Sequence, residues 1–323
     1  FDIFSKFYGM RKILSIIFLI LSLIVLAKLS ISKDKSFKEL KPLYFNSSSH
    51  FMELDSRKIH FRDEGSGYPI ILIHGTGASL HTWDSWTKEL TKTNRVIRLD
   101  LPAFGLTGKD RFKRYSAEDY VSLLNDFLKK LEVKEFHLAG NSLGGLVAWL
   151  YTSKYDEKIN KLLLLNPSGF SSKRAPFVIQ LARTPLLNLF LRYFTPRLFI
   201  EKNLKEVYYD NSLITEETIS RYYDLTLFEG NRSAFIDRAN INHEDYSLKL
   251  QDINTPTLIL WGENDEWIPV ENSSKFKNAI KNSKVVIMPK TGHIPMEEKP
   301  SESLRIALDF IQSEKDSINS IEF

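Results

Sequence analysis

The chain of 323 residues contains no cysteine. That excludes disulfides, thiolate metal ligands, a cysteine nucleophile and a lipid-modified cysteine, and it leaves the compartment open. The chain also lacks an excess of one charge: 44 Lys and Arg stand against 40 Asp and Glu, a formal net charge of +4. The basic residues are scattered rather than striped, so no nucleic-acid partner is expected. There is no internal repeat. Hydrophobic residues at 43% and charged residues at 26% exclude global disorder. A chain of this length buries a large core, and one domain with an insertion is the natural division.

A comfortable membrane-spanning run is missing too. Arg11 and Lys12 precede an apolar stretch from Ile13 to Ala27, relieved only by Ser15 and Ser22. Its length at ~1.5 Å per residue falls short of a ~30 Å hydrocarbon core unless Lys28 snorkels and Leu29 to Ile31 join it. A basic start, a short apolar run and Val25-x-Ala27 fit a secretory signal peptide. Basic residues on the far side (Lys28, Lys33, Lys35, Lys38) fit an uncleaved anchor equally well. The expectation is therefore a membrane-anchored protein, or one exported after cleavage. With no polar face, the run does not read as a buried core helix. Met10, directly before Arg11, is the expected start of translation.

Residues 1–32 form this segment, and the polar, lysine-rich stretch 33–50 reads as a linker. From about Phe51 a strand-and-helix pattern sets in. Strands are expected at Ile59–Arg62, before an Asp63–Gly67 turn, and at Pro69–Ile73, Arg95–Asp100, Glu135–Ala139 and Lys161–Leu165. Helices fall at Ala117–Leu131 and from Leu143 to about Tyr155. Residues 169–248 are rich in Leu, Phe, Tyr and Arg and hold no convincing strand; helices are expected around 175–195, 198–208, 215–229 and 231–240. Alternation resumes with strand Pro256–Trp261, helix 270–280, strand Lys284–Met288 and helix Ser301–Ile311. This predicts an α/β fold with a mostly parallel sheet between helices, built from 51–168 and 249–315. Residues 169–248 would be a helical lid, and 316–323 a tail.

Gly140-Asn141-Ser142-Leu143-Gly144-Gly145 follows a strand and opens a helix. In that setting G-x-S-x-G is a nucleophile elbow, a strained turn that lifts a serine hydroxyl above the sheet edge. The alternative is a glycine-rich turn with an incidental serine. A serine needs a base within reach. His293, in Lys290-Thr-Gly-His-Ile-Pro295 after the last strand, is that candidate. His74 reads as structural, His60 and His137 lie at strands, and His50, His81 and His243 have no motif around them. Asp265, just past strand 256–261, is the candidate orienter, with Glu263 and Glu266 as competitors. The order Ser142, Asp265, His293, each just after a strand, distinguishes this arrangement from other triad folds. The helix-head N–H of Leu143 and the N–H of Thr76, with Gly77 as alternative, are the expected oxyanion donors. No dinucleotide glycine pattern or P-loop lysine accompanies the His74-Gly-Thr-Gly-Ala78 loop.

Together the His-Gly loop, the Asp100-Leu-Pro-Ala-Phe-Gly105 segment, the serine elbow and the Thr-Gly-His loop resemble the α/β-hydrolase superfamily over about residues 50–315. Within it the chain is similar to the lidded serine hydrolases: esterases, lactonases and meta-cleavage product C–C hydrolases. Serine rather than aspartate at the elbow argues against haloalkane dehalogenases and epoxide hydrolases. The C–C hydrolases usually continue their His-Gly loop with Gly-Pro-Gly, whereas here it runs Thr76-Gly77-Ala78-Ser79. The resemblance implies cleavage of a carboxylic ester or lactone with an apolar part, through an acyl-enzyme, without metal or organic cofactor. Two alternatives stand beside it: a C–C hydrolase, and a non-catalytic ligand-binding protein on the same fold. Apolar lid residues (Phe177, Leu181, Leu186, Leu187, Phe190, Phe194) are mostly self-packing. Gly77, Phe104 and Trp267 are candidates for the substrate pocket. Arg183, Arg192 and Arg197 could meet a substrate carboxylate, but they read rather as solvated surface.

Overall fold

The computed structural model describes residues 32–170, 175–242 and 244–313, together with Ser15, Ile17 and Phe18. Most of the N-terminal apolar run, His243 and the expected tail 316–323 lie outside them. Among the described residues no helix is long and apolar enough to cross a membrane.

Eight strands form one sheet in the order β1-β2-β4-β3-β5-β6-β7-β8. β1 (Ser49–Leu54) and β2 (Arg57–Gly65) make a hairpin. Asp55 and Ser56 turn it, with φ of 45° and 63°, the left-handed pair that suits the twist of flanking strands. β2 also runs antiparallel to β4 (Asn94–Leu99). β3 (Tyr68–Ile73), β5 (Phe136–Asn141), β6 (Ile159–Leu165), β7 (Thr257–Gly262) and β8 (Ser283–Met288) continue in parallel. The expected Asp63–Gly67 turn is shorter than its composition suggested. Asp63 to Gly65 pair with Ile97 to Arg95, and Arg95 grips the Asp63 carboxylate with two hydrogen bonds of 2.9 and 2.6 Å.

The central strands are mostly apolar because both faces are covered. Ile71, Ile73, Leu138, Leu162, Leu164 and Ile259 pack on one side, against α3 (Ala117–Lys130) and α4 (Leu143–Thr152). Ile70, Leu72, Leu163, Leu165, Leu258 and Leu260 pack on the other, with Trp86 of α2 (Asp84–Leu90) and Leu304, Ile306 and Phe310 of the C-terminal helix. The alternation is the strand period of two. Ser116 caps α3 in a reciprocal box with Asp119.

Between β6 and β7 the described chain is helical: α5 (Phe177–Arg183), α6 (Leu187–Leu191), α7 (Arg197–Val207), α8 (Glu216–Thr226) and α9 (Asn231–Ala239). The single helix expected over 175–195 is broken at Thr184, which precedes Pro185 and is extended (φ −82°, ψ 120°), as the proline ring requires. α10 (Asn272–Ala279), α11 (Pro295–Glu298) and α12 (Pro300–Gln312) complete the chain.

The stretch expected as a linker is instead structured. Ser36 caps α1 (Phe37–Tyr44), and Lys35 pairs with Asp224 at 2.7 Å while its N–H donates to Leu227 O. Arg232 donates to Asp34 and to Ser32 O. The charges of Asp34 and Lys35 thus mark partners in the helical block.

Several histidines are buried in the neutral form. His81 accepts from Arg62 at Nε2 (3.0 Å), so a second ring proton would oppose a guanidinium. Burial pushes His81 down to about 3 and His137 down to about 4. Unfolded, each takes up its proton near pH 6.5, so over the interval below that the unfolded chain binds more protons. Stability should therefore be highest above pH 6.5 and fall as the pH drops toward 4, by about 1.4 kcal/mol per unit for each histidine. Urea denaturation between pH 7 and pH 4.5 measures this; a midpoint that does not move overturns it.

Candidate active site

The parallel register makes the strands end at one edge, where Ile73 faces Gly140 and Leu165 faces Leu260. Each candidate residue follows one of those ends. Ser142, after β5, has φ 54° and ψ −114°, a conformation that costs a residue with a side chain of the order of 1–3 kcal/mol. Close approach of main chain to main chain enforces it. A Cβ on Gly140 would lie 2.2 Å from Gly144 O, and one on Gly144 would lie 2.2 Å from Ile73 O. The glycines at 140 and 144 let the elbow fold this tightly, and Ser142 is left at the head of α4. The Leu143 N–H, in the first turn of that helix, has no intrahelical carbonyl to bond.

The His-Gly loop lies beside this serine: a Cβ on Gly75 would stand 3.1 Å from Ser142 Cβ. Thr76 N–H donates to no backbone carbonyl among the described residues. His74 holds the loop. Its Nδ1 bonds Gly75 O at 2.7 Å and its Nε2 accepts from Leu101 N at 3.0 Å, and burial pushes it below the usual histidine range. That leaves it neutral and structural.

Asp265, not Glu263 or Glu266, meets His293. The two neighbours are exposed, whereas the Asp265 carboxylate is fully buried and 2.7 Å from His293 Nδ1. A carboxylate only accepts, so Nδ1 carries the proton and Nε2 the lone pair. Asp265 is saturated: Oδ1 accepts from Trp267 N (2.8 Å) and Ile268 N (2.9 Å), and Oδ2 also accepts from Asn166 Nδ2 (2.7 Å). The Trp267 ring stands 5.2 Å from the imidazole. Buried His293 Nε2 has no hydrogen-bond partner among the described residues, so it is not bonded to Ser142 here. Such contacts commonly tighten only with substrate in place.

Three residues that the sequence reading did not single out hold this geometry. Asn141 Nδ2 donates to Leu165 O and to His293 O (3.0 and 2.9 Å), tying the elbow to the histidine loop. Asn166 stands just past β6, the positional signal shared by the others, at φ 46°. Glu298, buried, accepts from Gly292 N (2.7 Å) and from Tyr209 N and Asp210 N (2.9 Å each), joining the His293 loop to the segment after α7. A glutamate two residues before a proline carries no such signal in sequence.

Two cavities open on the candidate residues. One, of about 400 Å³, is lined by Ser142, Thr76, Trp149, Trp267, Arg183 and Arg238. The other shares Thr76 and Trp267 and is walled by Gly77, Phe104, Val178, Leu191, Phe199 and Phe235. All three expected pocket residues stand on that second wall.

Glu298→Gln should destabilise the fold by about 2 kcal/mol, because an amide N–H₂ would then face a backbone N–H. Denaturant titration of the purified variant measures it, and a stability within 0.5 kcal/mol of the natural chain, roughly the scatter of ordinary surface substitutions, refutes the clamp.

A family model described as alpha/beta hydrolase fold matches residues 68–300. Among curated relatives, 2-hydroxy-6-oxo-2,4-heptadienoate hydrolase of Pseudomonas putida is 26% identical over 269 residues, covering 79% of this chain and 93% of its own. Lipase 3 of a Moraxella species is 27% identical over 280 residues, 82% of each chain. Among solved structures, a membrane phospholipase A, a bacterial virulence factor, aligns with a TM-score of 0.71 and 27% identity over 85% of this chain and 87% of that one. The chain belongs to the alpha/beta hydrolase fold family and is an enzyme, a hydrolase.

Proposed function

We propose that the enzyme cleaves a carboxylic ester or lactone bearing an apolar part, with Ser142 as nucleophile, His293 as base and Asp265 as its orienter. The observation that carries the triad is the buried His293–Asp265 bond with Nε2 left unpartnered at the edge where the elbow presents Ser142. His293 Nε2 takes the hydroxyl proton while Ser142 Oγ attacks the carbonyl carbon. The N–H groups of Thr76 and Leu143 receive the oxyanion. The alcohol leaves with the proton held by His293. Water, deprotonated by the same nitrogen, then attacks the acyl-enzyme and releases the acid.

The apolar cavity beside the Thr76 loop supports an apolar acyl or alcohol part. The helices α5 to α9, which supply most of its wall, act in this reading as the lid. C–C bond hydrolysis is the second reading, favoured by relatives such as the Pseudomonas putida enzyme. For location, the apolar run from Ile13 to Ala27 supports a membrane-anchored or exported protein, in keeping with a substrate drawn from lipid.

Ser142→Ala should lower turnover of nitrophenyl butyrate on the order of 10⁶-fold. Equal rates for variant and natural chain sink the assignment. Profiling the natural chain against esters and against a vinylogous diketo acid decides between the readings; cleavage of the diketo acid alone overturns the ester one.

A further inference from the structure

Arg238 is the feature that the triad does not use. It sits on α9 and lines the cavity that holds Ser142, and only 9% of its surface is exposed. A guanidinium removed from water normally answers to a carboxylate, since an unpaired buried charge costs several kcal/mol. Among the described residues Arg238 forms no ion pair, and its buried Nε has no hydrogen-bond partner. What surrounds it is neutral or like-charged: the Tyr120 hydroxyl, its hydrogen-bond partner, the Phe104 ring at 5.9 Å, and Arg183. Burial lowers its pKa, yet a guanidinium starts so high that it keeps its charge at neutral pH. Glu244 and Asp245 line the same cavity but are exposed, where water and salt screen them.

We infer that Arg238 is the receptor for an acidic oxyanion, a carboxylate or a phosphate, carried by the substrate on the side of the scissile bond that occupies the Ser142 cavity. The planar fork of a guanidinium matches either group with two parallel hydrogen bonds. Arg183 is exposed on α5, where water and salt screen it, and its Nε is spent on Ala239 O, so it is not the primary contact. The substrate class becomes an ester with an apolar part toward one cavity and an acid group toward the other. The inference rests on the reading of Ser142 as nucleophile and makes that reading more specific.

Two matched esters test it: nitrophenyl hemisuccinate, which presents a free carboxylate, and nitrophenyl methyl succinate, its neutral counterpart. In Arg238→Met the ratio of kcat/KM for acid over neutral ester should fall on the order of 100-fold. Arg238→Lys should recover part of the loss, and Arg183→Met should lose less. An unchanged ratio in Arg238→Met overturns the receptor. Binding to the natural chain, followed by calorimetry with succinate and with glycerol phosphate, separates the two sources of the oxyanion. It also serves if Arg238→Met does not fold: if neither acid binds more tightly than its neutral analogue, monomethyl succinamide or glycerol, the inference fails. A chain that hydrolyses no ester, yet binds one of these acids through Arg238, keeps the receptor and defeats the esterase reading.

Discussion

The molecule depends on backbone packed against backbone at the carboxyl edge of its parallel sheet. Six parallel strands end there together, and several of the turns leaving them touch with no side chain between. Gly140 and Gly144 meet across the elbow, Gly144 lies against the end of β3, and a Cβ on Gly262 would stand 2.0 Å from Gly292 O. These contacts bring the serine turn, the acid loop and the histidine loop within reach of one another. A methyl group at any of them would separate parts that chemistry needs in register, and small misplacements of reacting groups are costly in rate.

Polar side chains then lock what the glycines permit. Asn141, Asn166 and Glu298 together satisfy backbone groups on β6, the His293 loop and the segment after α7, while orienting Asp265. Asp100 does the same on the opposite side of the site. It is fully buried, accepts from Leu80 N and Leu106 N at 2.8 Å each, and pairs with His60 at 2.7 Å. Burial pushes that carboxyl up, and His60, by charge and hydrogen bond, brings it below the ordinary carboxylate range. The loop carrying Thr76 and the segment carrying Phe104 are thereby fixed to one anchor. Networks of this kind stabilise most when every member is satisfied; among the buried atoms without a partner in the described residues are His60 Nε2 in this network and His293 Nε2 and Arg238 Nε at the cavities.

The division of labour follows from the topology. The sheet edge supplies reacting groups on short, tightly bonded turns. The helices between β6 and β7 supply cavity walls and are bonded to the rest of the chain at many points, among them Glu297, Glu298, Gly105 O and the strap of residues 32–35 across α8 and α9.

Local pattern alone determined the parallel sheet, because strands buried on both faces are largely apolar and stand out as short runs between helices. The same pattern placed Ser142, Asp265 and His293, since each lies just past a strand, and strand ends are what a one-dimensional reading locates well. It separated Asp265 from Glu263 and Glu266 by position only; burial and the bond to His293 decided it in three dimensions. The structured strap at 32–45 was invisible because Asp34 and Lys35 pair with residues 198 and 189 positions away, and polar composition does not tell a partner from solvent. Asn141, Asn166, Glu298 and Arg238 were illegible for a related reason. Their importance lies in which distant backbone groups or cavities they face, and only the folded chain sets that.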